Sequence, residues 1–315
     1  MDKSPVLHKF PVYLRIITFG MIIITSVIFV LILGILLAVP FYGPDVLKDL
    51  GKIETSTEPN IISLAKYFQI VSQFGIFLVP IFIFAFLDGR NISRYLSINI
   101  KPAFKTLIFA ALAIIAAVPL INYLGELNQQ MKLPESMAGI EHWMKNSEDK
   151  AAKLTETFLN IKSSGGFLIN LIMIGIIPAI GEEFMFRGVL QKLFHQWTKN
   201  IHFAVIFSAF LFSAMHMQFY GFIPRFLMGV MMGYLFVWSG SLWVPVLVHF
   251  INNTIAVLMS YLVNLGLADD SFDTIGTGNS EFIFVLISLM ITGALIALIF
   301  KFEKKKKLAH QVINN

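Results

Sequence analysis

The chain has 315 residues, of which 57% are hydrophobic and 14% charged, with a net charge of +5 and a mean hydropathy of +0.75. Soluble globular domains carry about 25% charged residues, so the composition excludes a water-soluble fold and points to the bilayer as solvent. Its basic residues sit in short clusters between apolar runs, which excludes a nucleic-acid binder, and the absence of cysteine excludes disulfides, thiolate nucleophiles and Cys-ligated metal.

In chain order, eight apolar runs have roughly the 20-residue length that a span needs: about 16–39, 61–87, 103–124, 166–194, 201–219, 222–238, 242–265 and 281–300. The expected fold is therefore all-α, a polytopic transmembrane helix bundle with about eight spans. The first run follows Lys3, Lys9 and Arg15 as a signal peptide would. It is longer than the roughly 7–15 residues of a signal h-region and is taken as a retained span. Pro40, Pro44 and Pro59 punctuate the first loop, and Asp88-Gly89-Arg90-Asn91 with Pro102 bound the second. Between the third and fourth runs, 125–164 is the one sizeable extramembrane segment. Ile140, Trp143, Met144, Ala151, Leu154, Phe158 and Ile161 give it helical apolar spacing, expected as a helix pair lying on the surface with Trp143 at headgroup level, the alternative being a substrate-gating lid. Four regions result: 1–124 with spans one to three, 125–164 as an amphipathic loop, 165–265 as a core of spans four to seven, and 266–315 with the last span and a basic tail.

Loop charges orient the bundle. Arg90, Arg94 and Lys101, then Lys192 and Lys199, then Lys301 and Lys304 to Lys307 fall on the same side as the N-terminal Lys3, Lys9 and Arg15 when there are eight spans. The opposite side carries Asp269, Asp270, Asp273 and the charge-balanced 125–164 segment. Lys/Arg excess marks the cytoplasmic face. The expectation is an integral protein of the cell (inner) membrane with both termini cytoplasmic and membrane lipid as its surroundings. Nothing in the sequence fixes its oligomeric state.

Ionisable groups within spans are costly and face a bundle interior or a wet cavity. Here they gather late in the chain: Glu182, Glu183 and Arg187 in span four, His216 in span five, Arg225 near the outer end of span six, and His249 with Asn252 and Asn253 in span seven. Glu183 and Arg187 share a helix face and can pair as a clasp. Glu182 points about 100° away, without a local partner, and can act as a general base. Pro178 and Gly181 precede it, and a proline opens a helix to water. At ~1.5 Å per residue, the depths of Glu182, His216, His249 and Asn253 overlap enough for one shared cavity. A carboxylate, two imidazoles and a carboxamide suit hydrolysis: the carboxylate activates water, and the donors stabilise an oxyanion. Glu182, His216 and His249 could instead hold a metal, zinc being the one cofactor these residues leave open. His8, His142, His195, His202 and His310 lie near ends or in loops. Arg225 is expected as an interfacial anchor, and Gly229 with Gly233 as a close helix contact.

At these residues the chain resembles the CAAX-protease and bacteriocin-processing (CPBP, or Abi) family of intramembrane endopeptidases, similar to the type II CAAX-prenyl endopeptidase. The family's three motifs, EExxxR, FxxxH and HxxxN, appear in order as Glu182-Glu183-Phe-Met-Phe-Arg187, Phe212-Ser-Ala-Met-His216 and His249-Phe-Ile-Asn-Asn253. The resemblance implies that Glu182 activates water with His216, that His249 and Asn253 form the oxyanion site, and that Glu183 and Arg187 order the helix. It implies a peptide or lipidated-protein substrate, CAAX-type or otherwise processed. Two rivals stand beside it: a non-catalytic membrane scaffold or immunity factor, and a proton- or ion-coupled transporter. The transporter predicts inverted repeats, and the sequence shows no internal repeat.

Overall fold

The computed structural model describes residues 5–53, 56, 58–269, 274–278 and 281–313, the side chains of 307 and 309–313 excepted. Lys3, Asp270 and Asp273, and the side chains of Lys307 and His310, thus lie outside the described residues. Among those described, the regular structure is entirely helical. The main helices are α1 (Val12–Tyr42), α2 (Pro59–Gly89), α3 (Phe104–Ala116), α4 (Val118–Gln129), α5 (Ala138–Leu159), α6 (Ser164–Thr198), α7 (Ile201–Met215), α8 (Phe222–Ser239), α9 (Trp243–Asn264) and α10 (Phe282–Ile313).

Among the described residues, six helices are long and apolar enough to cross a membrane: α1, α2, α6, α8 with its leading turn, α9 and α10. The pair α3 and α4, bent by 44°, makes a seventh if it is one span, and α7 is a shorter apolar helix. All eight expected runs therefore have a helical counterpart, but several boundaries differ. The last run continues as helix to Ile313, through the segment expected as a basic tail after 300. The third run is broken at Ala117, because Pro119 has no N–H for the carbonyl one turn earlier and its ring crowds that carbonyl. The fifth run ends at Met215 rather than 219, with His216 as the helix cap. The 125–164 segment holds one 22-residue helix, α5, behind a 3-10 turn at Glu135–Met137, in place of a helix pair.

Large apolar side chains such as Ile17, Ile24, Phe29 and Leu36 cover the outside of the bundle, as a lipid-facing surface requires. With lipid outside, the spans gain little from apolar burial and associate through close packing and hydrogen bonds. Small residues permit that packing. A Cβ at Gly34 of α1 would lie 2.6 Å from Val71 of α2, and one at Gly229 of α8 would lie 3.1 Å from Ala209 of α7.

Polar ties fix which ends meet. Arg15 in the first turn of α1 donates to Asp88 at the end of α2 and, at 2.9 Å, to Gln196 at the end of α6. Trp243 at the start of α9 donates to the Ile98 carbonyl at 2.8 Å, and Thr106 of α3 to Glu303 of α10 at 2.5 Å. The start of α1 and the late part of α10 therefore share one end of the bundle, and α5 lies at the other. Two residues expected as loop charges are otherwise employed. Arg15 is buried in its pair with Asp88, and Lys192 sits within α6, donating to the Tyr95 carbonyl and to Ser97 Oγ.

Candidate active site

Helix α6 carries the carboxylates, and its backbone is irregular around them. Ser163 caps its start, Oγ accepting from Gly166 N–H at 3.1 Å. Two π-helical stretches, Leu171–Ile176 and Phe184–Leu190, flank the short α-helical piece Ile177–Glu183. Such wide turns recur at functional sites, because they re-aim side chains that an unbroken α-helix would stagger. Within the α-helical piece, Pro178 has no N–H to give to the carbonyl of Ile174 four residues earlier. Asn253 of α9 supplies the missing donor, its Nδ2 lying 2.9 Å from Ile174 O.

Glu183 is fully buried and its Oε1 accepts twice. Arg187 donates to it at 2.6 Å and His249 Nδ1 lies 3.0 Å away. The other arm of Arg187 reaches across to α8 and donates to the Gly229 carbonyl at 2.8 Å, while Gln191, one turn on, donates to the Gly233 carbonyl at 3.2 Å. The missing side chains of those glycines let α6 and α7 approach α8 closely enough for both bonds. The Phe212 ring lies against this cluster. The Arg187 guanidinium sits 4.7 Å from its centroid, and both site imidazoles meet it edge to face, His216 at 5.2 Å and His249 at 5.7 Å.

Glu182, only 6% exposed, turns away from this clasp. Its Oε2 is buried without a hydrogen-bond partner. His216 Nε2 and His249 Nε2 each stand 3.9 Å from that oxygen. The Nδ1 atoms of the two rings are engaged elsewhere. His216 Nδ1 bonds the Phe212 carbonyl at 2.8 Å, and His249 Nδ1 bonds Glu183. A carbonyl only accepts, so the proton of a neutral His216 resides on Nδ1 and its Nε2 presents a lone pair. An ionised Glu183 sets the same tautomer for His249. Three acceptors then converge on one space, an arrangement that calls for a hydrogen-bearing molecule between them.

Glu182, His216 and His249 are thus brought together from three helices, with Glu183 and Arg187 directly behind. Asn253 lies one turn beyond His249 on α9. One of its two amide hydrogens is taken by Ile174, and its oxygen accepts from Asn252 Nδ2 at 3.2 Å. Among the described residues, no group of three His, Asp or Glu has the spacing of a metal site. Sequence reasoning missed four features: the Glu183–His249 bond, the Phe212 contact, the use of Gly229 as an acceptor, and the backbone at Met217, where φ is +53°. The G-x-x-x-G spacing and the phenylalanine of the FxxxH motif were the visible signals for two of them. Arg225, expected as an interfacial anchor, holds Gln218, donating to its backbone and side-chain oxygens at 2.9 and 2.8 Å.

Comparison with known proteins places the match on this region. Residues 164–255 match the family model of the type II CAAX prenyl endopeptidase Rce1-like proteins. An uncharacterized protein of Bacillus subtilis (strain 168), YpbD, is 30% identical over 90 residues, 27% of this chain and 43% of that relative. The chain therefore spans less than half the length of that relative. No solved structure matches.

Proposed function

We propose, from the premise that residues 164–255 belong to the CAAX-protease family, that this chain is an intramembrane endopeptidase whose Glu182 activates a water molecule. The observation that carries this reading is Glu182 Oε2, buried, without a hydrogen-bond partner, and faced by two imidazole nitrogens at 3.9 Å. A water between them gives hydrogens to acceptors that otherwise repel one another. As its oxygen attacks the scissile carbonyl, Glu182 takes one of its protons, and the His216 lone pair helps to orient it. The C–N bond then breaks and Glu182 returns that proton to the leaving amine.

The developing oxyanion needs donors. The second amide hydrogen of Asn253 is available for that task, and His249 borders the same space, its ring held through Nδ1 by Glu183. Glu183 and Arg187 are positioning residues here. They hold the His249 ring and the helix beside Glu182 without touching the reacting atoms. The reading is metal-independent. The substrate is a peptide or protein, as the family's activity suggests, and the protein resides in the cell membrane with both termini cytoplasmic.

The test uses the purified protein in lipid nanodiscs and a quenched fluorescent peptide library. Cleavage is expected from the wild type and a loss of at least about 100-fold from Glu182→Gln, in line with removal of a general base, with the variant still folded. Cleavage at wild-type rate by Glu182→Gln sinks the mechanism, and absence of cleavage by both favours the scaffold. Protein stripped of metal, and shown metal-free by elemental analysis, is expected to keep full activity; loss restored by zinc would instead assign a metal to the site.

A further inference from the structure

Helix α7 has 15 residues, about 22 Å of rise, against a hydrocarbon core of about 30 Å. It begins at the end of the bundle shared by the start of α1 and the late part of α10, and it stops short of the other surface. The chain from His216 to Gln218 is non-helical, with Met217 at φ +53°, before the short turn Phe219–Gly221. Irregular backbone among membrane-spanning helices persists where it is buried in protein or lines a wet cavity.

A cavity of about 580 Å³ adjoins this segment, within the range of about 300–1,000 Å³ typical of ligand sites. Gln218, two residues past His216, forms part of its wall. Ala256, Ser260 and Asn264 of α9 form another part, and Thr155 and Glu156 of α5 face them. On α9 these three continue the stripe that starts at His249 and Asn253, since steps of three and four keep one helical face. The cavity wall is thus a direct extension of the face that carries the site.

The roof is anchored rather than loosely draped. At the end of α5, the Phe158 carbonyl accepts from Lys66 at 3.1 Å and from Asn170 at 2.6 Å, and the Leu159 carbonyl accepts from Asn264 at 2.8 Å. Further along, Glu148 accepts from Tyr220 N–H at 3.2 Å, and the Trp143 and Phe219 rings lie 5.3 Å apart.

We propose that this cleft is the substrate groove, and that it takes an extended, unlipidated peptide segment with a lysine or arginine near the scissile bond, entering from the aqueous face opposite the termini. The walls mix the amides and hydroxyls of Thr155, Ser260 and Asn264 with the apolar Leu159 and Ala256, which suits a peptide's N–H and C=O groups between its side chains better than a wholly apolar prenyl chain. Glu156 is the one charged side chain among the lining residues, so a cation is the complementary partner. The proposal rests on the reading of Glu182 as part of a protease, and its test separates the two.

The 315-residue chain carrying Glu182→Gln is placed in nanodiscs, and anisotropy is read with two fluorescein-labelled hexapeptides, alanine and glycine with one central lysine or with glutamate in its place. The lysine peptide is expected to bind at least 10-fold tighter. Adding Glu156→Lys, a change at an exposed position, is expected to reverse that preference, and Ala256→Trp or Ser260→Trp to weaken the lysine peptide at least 10-fold while the protein stays monodisperse. Equal affinity for both peptides, no detectable binding, or indifference to Glu156→Lys overturns the groove. Binding as expected without any Glu182-dependent hydrolysis by the wild type leaves the groove standing and removes the protease reading.

Discussion

Glu183 serves two partners, and its stability role separates from its positioning role. A buried ion pair that loses one member leaves an uncompensated charge, costing about 3–5 kcal/mol. Glu183→Gln and Arg187→Met are each expected to lower stability by about that amount, read as the midpoint of unfolding in mixed micelles. The double variant should recover most of the loss, because no lone charge remains. Peptide cleavage should stay impaired in it, because His249 has lost its carboxylate. Recovery of both properties together would show that Glu183 is a clasp alone. Glu183 and Arg187 were legible as a pair from their spacing. The bond from His249 was not, because nothing local in a sequence says which face of α9 meets α6. Met217 was equally hidden, since its φ of +53° follows from where α7 stops. Left-handed backbone costs a non-glycine residue about 1–2 kcal/mol, so Met217→Gly should raise the unfolding midpoint and Met217→Val lower it. The reverse order would place the strain elsewhere.

Helix α6 shows how one proline is answered by a side chain on another element. Pro178 removes the donor for Ile174 O, and Asn253 replaces it at 2.9 Å. Asn253→Ala should therefore leave a buried carbonyl unpaired and cost about 1–3 kcal/mol of stability. Paired with Pro178→Ala, which restores the backbone donor, the same substitution should cost distinctly less. Additive effects in that cycle would mean that the two residues are not coupled. Periodicity located α6 and α9 well, because long apolar runs between charged loops leave little choice. It overran α7, because Met217 and Phe219 are as apolar as the helix before them and carry no stop signal. The break at Ala117 was written in Pro119, yet the composition of the run as a whole concealed it.

Across the molecule, Glu182, His216 and His249 lie among α6, α7 and α9, and the proposed groove lies at the end away from the start of α1 and the late part of α10. If the basic end is cytoplasmic, α5 faces the opposite compartment. The lack of cysteine makes this directly testable. With an impermeant maleimide, Lys145→Cys should label on intact cells, and Lys301→Cys only after permeabilisation. The opposite pattern would invert the orientation and place the groove in the cytoplasm. The bundle and the cluster of motifs were readable from composition and spacing. The convergence of Glu182, His216 and His249 needed tertiary structure, since depth arithmetic fixes height along a helix and not its rotation.

The central claim is that Glu182 makes this protein a peptidase, and mass spectrometry of the peptides released by membranes tests it most directly. Cells producing the wild type are compared with cells producing equal amounts of folded Glu182→Gln. The account predicts a reproducible set of fragments present only with the wild type, sharing a cleavage position with a basic residue close by. Identical peptide sets at matched protein levels would contradict it.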